Sequence, residues 1–179
     1  MATYYARKAG NINAADVWAT TPAGTASAVT FASGDVLIAN SFTITINVST
    51  NLGSTGEIRN DTTGGATAGG GFTLSDGVTL TTNMVQGQVT AGGTILTYSG
   101  SSPNSASIVG NASSVNTSGN GSVIQFTGSG TLNYTGNLTG DASGAGTTNS
   151  IMLVSGSGTL NFTGNTTGGS GTTGVGGAG

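Results

Sequence analysis

Enzymatic chemistry needs titratable or nucleophilic side chains gathered in one place, and this chain of 179 residues holds few of them. Its acids are Asp16, Asp35, Glu57, Asp61, Asp76 and Asp141, its bases are Arg7, Lys8 and Arg59, and His and Cys are absent. Only Glu57-Ile58-Arg59-Asn60-Asp61 brings several together. On a strand its three charges would share one face, with Glu57 and Asp61 about 13 Å apart along the backbone. The carboxyl groups of a glycosidase pair stand about 5–9.5 Å apart, so the segment reads as a surface salt-bridge row. No catalytic residue is therefore expected; Glu57 and Asp61 are the pair an enzyme would have to use. Neither a cofactor nor a metal is expected. Thiolate and imidazole ligands are missing, and the run Gly168-Gly169-Ser170-Gly171 lacks the Asp of calcium-binding nonapeptide repeats. Gly-x-Gly patterns such as Gly128-Ser129-Gly130 open no helix that could cradle a phosphate. A net charge of −3 leaves no electrostatic footprint for a nucleic acid.

The composition says what kind of scaffold could carry these residues. Glycine fills 34 positions and charged residues only 5%. Disordered chains combine low hydrophobicity with high net charge, whereas here the mean hydropathy is +0.09. The apolar residues gather in short β-rich runs: Val36-Leu37-Ile38, Phe42-Thr43-Ile44-Thr45-Ile46 and Ile151-Met152-Leu153-Val154. An ordered all-β body is expected, held by stacking, since no disulfide is possible. No apolar run reaches the roughly 18 residues of a membrane span, and the opening Met-Ala-Thr-Tyr-Tyr-Ala-Arg-Lys lacks the apolar core of a secretory signal. Membrane insertion and Sec export are not expected.

An internal repeat fixes the fold class. Thr127-Gly-Ser-Gly-Thr-Leu-Asn-Tyr-Thr-Gly-Asn137 returns as Ser155-Gly-Ser-Gly-Thr-Leu-Asn-Phe-Thr-Gly-Asn165, a step of 28 counted from Thr127 to Ser155. The same step carries Ile95-Leu96-Thr97-Tyr98 onto Val123-Ile124-Gln125-Phe126, and that onto Ile151-Met152-Leu153-Val154. A fixed period of this length marks a solenoid, in which each coil buries its apolar face only against its neighbours. Within a coil the period is two: Ile124 and Phe126 face one way on a first strand, Leu132 and Tyr134 on a second, with a glycine corner between. Stacking predicts a column of Tyr98, Phe126 and Val154, another of Tyr134 and Phe162, and Leu160 above Leu132. These aromatics are expected to be core ladder, with a sugar or nucleotide platform as the alternative. Phe72-Thr73-Leu74 and Thr79–Gly87 read as a shorter, degenerate coil whose spacing to Ile95 is not 28, and 64–71 as a loop bulging from the stack. The expected fold is a right-handed parallel β-helix over residues 36–179; an antiparallel sandwich is the alternative. A next coil would start at residue 179, which predicts either a longer fibre or an end covered by a partner.

Residues 1–35 differ from the rest, holding the only Trp, Trp18, and the adjacent bases Arg7-Lys8. They read as an N-terminal cap or attachment segment formed by Tyr4, Tyr5, Arg7, Lys8 and Trp18, because the end of a solenoid leaves an open core and an unpaired edge. Thr3-Tyr4-Tyr5-Ala6-Arg7-Lys8-Ala9-Gly10-Asn11, then Asp16-Val17-Trp18-Ala19-Thr20, Gly34-Asp35-Val36-Leu37-Ile38-Ala39 and Thr43-Ile44-Thr45-Ile46 resemble the opening of phage and bacterial right-handed parallel β-helix structural proteins. The resemblance spans the segment from Thr3 to Ile46 and lies at the level of these motifs. It implies a class that includes tail and head fibre components as well as polysaccharide-degrading enzymes, and for fibres a homotrimer.

With few catalytic groups, no Cys and no secretory signal, the expected role is a bacteriophage virion protein, a fibre or decoration component assembled in the host cytoplasm. Its expected partners are sister subunits, other virion proteins and a host surface glycan. The alternatives are an extracellular adhesin on a bacterial surface, which would need an export signal, and an ice- or glycan-binding solenoid. Ice binding would need a flat outward Thr-x-Thr array; Thr43-Ile44-Thr45 and Thr79-Leu80-Thr81 hint at one, whereas Thr131-Leu132-Asn133 and Thr159-Leu160-Asn161, taken as their equivalents, carry Asn in the second Thr position.

Overall fold

The structure, a computed structural model, describes residues 1–87, 94–114, 122–140, 150–167 and 175–177. Period-two apolar patterning and glycine corners produce strands that pair in parallel, each with its counterpart one coil away, so the chain is a β-solenoid. One sheet stacks Gly10–Asn11, Thr43–Ile46, Gly71–Leu74, Thr94–Tyr98, Ser122–Phe126, Ser150–Val154 and Val175–Gly177. The other stacks Thr3–Ala6, Val36–Ile38, Glu57–Arg59, Thr79–Gly87, Ser105–Ser114, Thr131–Thr135 and Thr159–Thr163. This second sheet bends into two faces. Leu80 pairs with Ile108, Ile108 with Tyr134 and Tyr134 with Phe162, while round the bend Ile58 pairs with Val85, Val85 with Ala112 and Ala112 with Leu138.

A glycine column makes the bend. Gly110, Gly136 and Gly164 stack there with φ of 154°, 149° and 152°. A Cβ on Gly136 would meet the Gly110 carbonyl oxygen at 1.9 Å, and one on Gly164 would meet the Gly136 carbonyl oxygen at 1.9 Å. Only glycine fits both the backbone conformation and the approach of the next coil.

The core is a set of axial ladders. Ile44, Phe72, Leu96, Ile124 and Met152 form one column and Leu37, Ile58, Val85, Ala112 and Leu138 another, all buried. The expected aromatic columns form: Tyr98 stacks on Phe126 at 5.6 Å between centroids and Tyr134 on Phe162 at 5.7 Å, as offset rings in successive coils do. Val154 pairs above Phe126, and Leu132 lies between Ala106 and Leu160. Leu160 and Phe162 are only half-buried. The step of 28 holds from Ile44 to Phe72 and again from Leu96 to Ile124 to Met152, whereas the coil from Phe72 to Leu96 is shorter.

Three placements differ from the sequence reading. Residues 3–11 are more than a cover, because Thr3–Ala6 pairs in parallel with Val36–Ile38 and Gly10–Asn11 with Thr43–Ile46, giving both sheets their first rung. The loop expected to bulge at 64–71 does not. Ala66 packs on Tyr5 and Ile38, and Thr67 N–H donates to Asn40 Oδ1 at 2.7 Å, so the loop covers apolar side chains on the outside of the second sheet, while Gly71 already belongs to a strand. Val175–Gly177 pairs with Met152–Val154, so the next rung arrives sooner than the regular step predicts. Residue 179, where the regular step put the next coil, lies outside the described residues.

Candidate functional site

The N-terminal end is closed by aromatic packing. Trp18 is fully buried, donates its indole N–H to the Ile12 carbonyl at 2.7 Å and meets Phe31 edge-on at 5.5 Å, and Tyr4 also meets Phe31 edge-on at 5.5 Å. Trp18–Ala19 pairs antiparallel with Tyr5 and Ala6, covering the outer edge of the first rung. Arg7 is half-buried and donates to the Pro22 carbonyl. Of the five residues grouped at this end, Tyr4, Tyr5 and Trp18 are packed inward or against a loop, and Lys8 is exposed in a pair with Asp16. That hydrogen bond with Lys8 lowers the Asp16 carboxyl below its ordinary range.

Sequence reasoning passed over the polar clamps beneath this end. Asp35 is 3% exposed and accepts from the Ala2 N–H at 2.7 Å and the Ala32 N–H at 2.8 Å, tying the first residues to the first coil. Asn40, in the left-handed region at φ 49°, donates to the Ala6 carbonyl at 2.8 Å as its oxygen receives the Thr67 N–H. A Gly-Asp before a β run and an Asn after it were the available signals, since Asp and Asn bond neighbouring backbone and Asn tolerates that conformation.

The charges of this segment pair, but not as an extended row: the strand ends at Arg59, so Asp61 turns back toward the same guanidinium as Glu57 and the two carboxylates lie closer than the roughly 13 Å that a continuous strand would set. Arg59 reaches Glu57, with its Nε donating to Glu57 Oε2 at 2.5 Å, and Asp61 at 3.6 Å, while Asp61 Oδ1 accepts the Thr63 N–H at 2.9 Å. One guanidinium bridges both carboxylates, a role that positions the 60–70 loop. Asp141 and the run Gly168–Gly171 lie outside the described residues. Asp76, like the buried Asp35, has no basic partner, but it is exposed: it accepts from the hydroxyl of Tyr98 and the amide of Asn104, and every basic side chain of the protein is engaged elsewhere.

The threonine array is not what the spacing suggests. Leu80 pairs with Ile108 and through it with Tyr134, so Thr79 is followed upward by Ser107, Asn133 and Asn161, and Thr81 by Val109, Thr135 and Thr163. Setting Thr79 beside Thr131 is therefore out of register. Val109 is exposed in the second column, and Asn161 Nδ2 donates to Asn133 Oδ1 at 2.8 Å, so this face mixes apolar and self-bonded side chains. Thr43–Ile46 lies in the other sheet.

Among the described residues no three His, Cys, Asp or Glu side chains form a metal-binding group, and no helix is long and apolar enough to cross a membrane. Compared with known proteins, the chain matches no family model, no curated protein and no solved structure.

Proposed function

We propose that the chain is a structural, non-catalytic component of a bacteriophage virion, a fibre or decoration element that attaches by its closed N-terminal end and projects its coils toward the host. The observation that carries this reading is the in-register stack itself. Parallel pairing runs from Thr3–Ala6 to Thr159–Thr163 with apolar side chains superimposed from coil to coil in the core, which makes a rod whose length scales with coil number. The resemblance of the segment from Thr3 to Ile46 to phage and bacterial β-helix proteins supports the same reading, and with it a homotrimer held among other virion proteins.

Quantitative mass spectrometry of purified particles from the source culture tests the role. The chain should co-purify with particles at a fixed copy number per capsid. Recovery only from the cell-surface fraction would replace the virion reading with an adhesin. Multi-angle light scattering should give three times the monomer mass, and a stable monomer would remove the trimer.

A further inference from the structure

Among the described corners, the one after Tyr98 departs from the repeat. Tyr98, Phe126 and Val154 occupy equivalent positions in successive coils. The corners after Phe126 and Val154, 127–130 and 155–158, are short, whereas the corner after Tyr98, 99–104, is longer before the next strand begins. The longer corner delivers Asn104 to Asp76: Asn104 Nδ2 donates to Asp76 Oδ2 at 2.8 Å, and Tyr98 Oη donates to Asp76 Oδ1 at 2.9 Å. The hydroxyl is specific to this level, since the ring stacked on Tyr98 is Phe126. Gly100 leaves room for the contact, because a Cβ there would come within 2.1 Å of both Asp76 Oδ1 and Tyr98 Oη.

Asp76 and Gly100 border an open cleft of about 490 Å³ between two coils, lined also by Thr73, Leu74, Ser75, Ser99 and Ser101, with Tyr98 and Asn104, outside that lining, holding the carboxylate. Asp76 is exposed. An ionised carboxylate offers about four acceptor positions, and Tyr98 and Asn104 use two. The hydroxyls around it can donate or accept. Burial, together with the hydrogen bond to Asp76, pushes the Tyr98 hydroxyl up to about 12, so it remains a donor and holds the carboxylate in one orientation.

We propose that this cleft is a binding site for a neutral saccharide, with adjacent sugar hydroxyls donating to Asp76 and accepting from the surrounding serine and threonine hydroxyls. Sugars fit because they present many neutral donors and acceptors at short spacing. Acidic sugars do not, since Arg7, Lys8 and Arg59 are committed elsewhere and nothing offsets the charge of Asp76. A calcium ion needs six to eight oxygen ligands and more than one half-occupied carboxylate. The site does not depend on the virion reading, because an adhesin could use it equally; particle mass spectrometry tests that role and saccharide binding tests this cleft.

The full chain should be applied to an array of neutral, amino, sialylated, sulfated and uronic-acid oligosaccharides, with titration calorimetry on whatever binds. Neutral glycans should bind, and Asp76→Asn should weaken them about tenfold or more, as loss of hydrogen bonds to a charged group does. Tyr98→Phe restores the ring found one coil up, so it keeps the stack and should also weaken binding. Gly100→Ala should do the same by displacing the Tyr98–Asp76 contact, with circular dichroism checking that each variant is folded. No neutral glycan bound, acidic glycans bound alone, binding only of a cationic probe such as spermidine, or neutral binding unchanged in folded Tyr98→Phe and Asp76→Asn would each overturn the proposal.

Discussion

Two glycines with unusual backbone angles separate strain from crowding. Gly77 has φ 73° with open space where a Cβ would sit, so Gly77→Ala should cost only the left-handed backbone penalty, about 1–2 kcal/mol. Gly136→Ala meets the same kind of penalty and the Gly110 carbonyl besides, so its denaturant midpoint should fall clearly further. Equal midpoints would mean that the bend has slack. Alkaline pH probes two tyrosine hydroxyls. The Tyr98 hydroxyl is raised from 10.0 to about 12 and that of Tyr134, which donates to the Gly110 carbonyl at 2.7 Å, is raised by burial. A proton held more tightly in the folded chain than in the unfolded one stabilises the fold below the unfolded value and stops doing so as pH climbs through the folded one. Stability should thus hold up to about pH 10 and decline from there toward 12 and above. Melting curves between pH 8 and 11 should show the decline, shallower in Tyr98→Phe. At this scale the sequence revealed that Glu57, Arg59 and Asp61 pair with one another, though not the turn after Arg59 that brings the two carboxylates together, and it revealed the inward aromatics. It did not reveal Asp76, because its partners Tyr98 and Asn104 are distant in the chain and meet it only through the stacking register.

For the strands, position in the stack should govern energetics more than residue type. Phe126 is fully buried between Tyr98 and Val154, whereas Phe162 is half-buried and pairs with Tyr134 on one side. Phe126→Ala should cost about 3–5 kcal/mol, the range for a buried aromatic, and Phe162→Ala distinctly less. Urea titrations of the two variants compare them directly, and equal losses would show that something else encloses Phe162. The strands that sequence reading placed correctly are those whose side chains recur at the regular step, such as Thr131–Thr135 and Thr159–Thr163. The register of Thr79–Gly87 escaped it for a physical reason. That strand runs through a bend and pairs with Thr50–Asn51, then Glu57–Arg59, then the long strand Ser105–Ser114, which carries a register shift between Val109 and Asn111. Backbone spacing sets such a register, and a Thr-rich run offers no distinctive side chain to mark it.

Over its described residues the stack is unequal from its first rung to its last, and that inequality should show in how it opens. At the N-terminal end Trp18, Phe31 and Tyr4 close the core and an antiparallel strand covers the first edge. That closure was legible in outline from the lone Trp and paired Tyr, but the first rung of both sheets was not, since Thr3–Ala6 and Val36–Ile38 lie a whole coil apart and share no motif. Toward the other end, Thr159–Thr163 pairs with Thr131–Thr135 and with no other described strand, and most of its residues are exposed. In a stack bound by nearest-neighbour contacts, a rung with one partner opens at lower free energy than a rung between two. Hydrogen exchange followed by mass spectrometry should therefore find the slowest amides in the rungs from Gly71–Leu74 to Ser122–Phe126, with protection falling through Ser150–Val154 to Thr159–Thr163. Protection at Thr3–Ala6 should stay close to that of the middle, because its edge is covered. Uniform exchange would mean that the stack opens as a single unit, and fastest exchange at Thr3–Ala6 would mean that the aromatic closure does not hold. Strong protection of Thr159–Thr163 that disappears on dilution would place a second copy of the chain against that rung, and the concentration at which it disappears would measure the affinity.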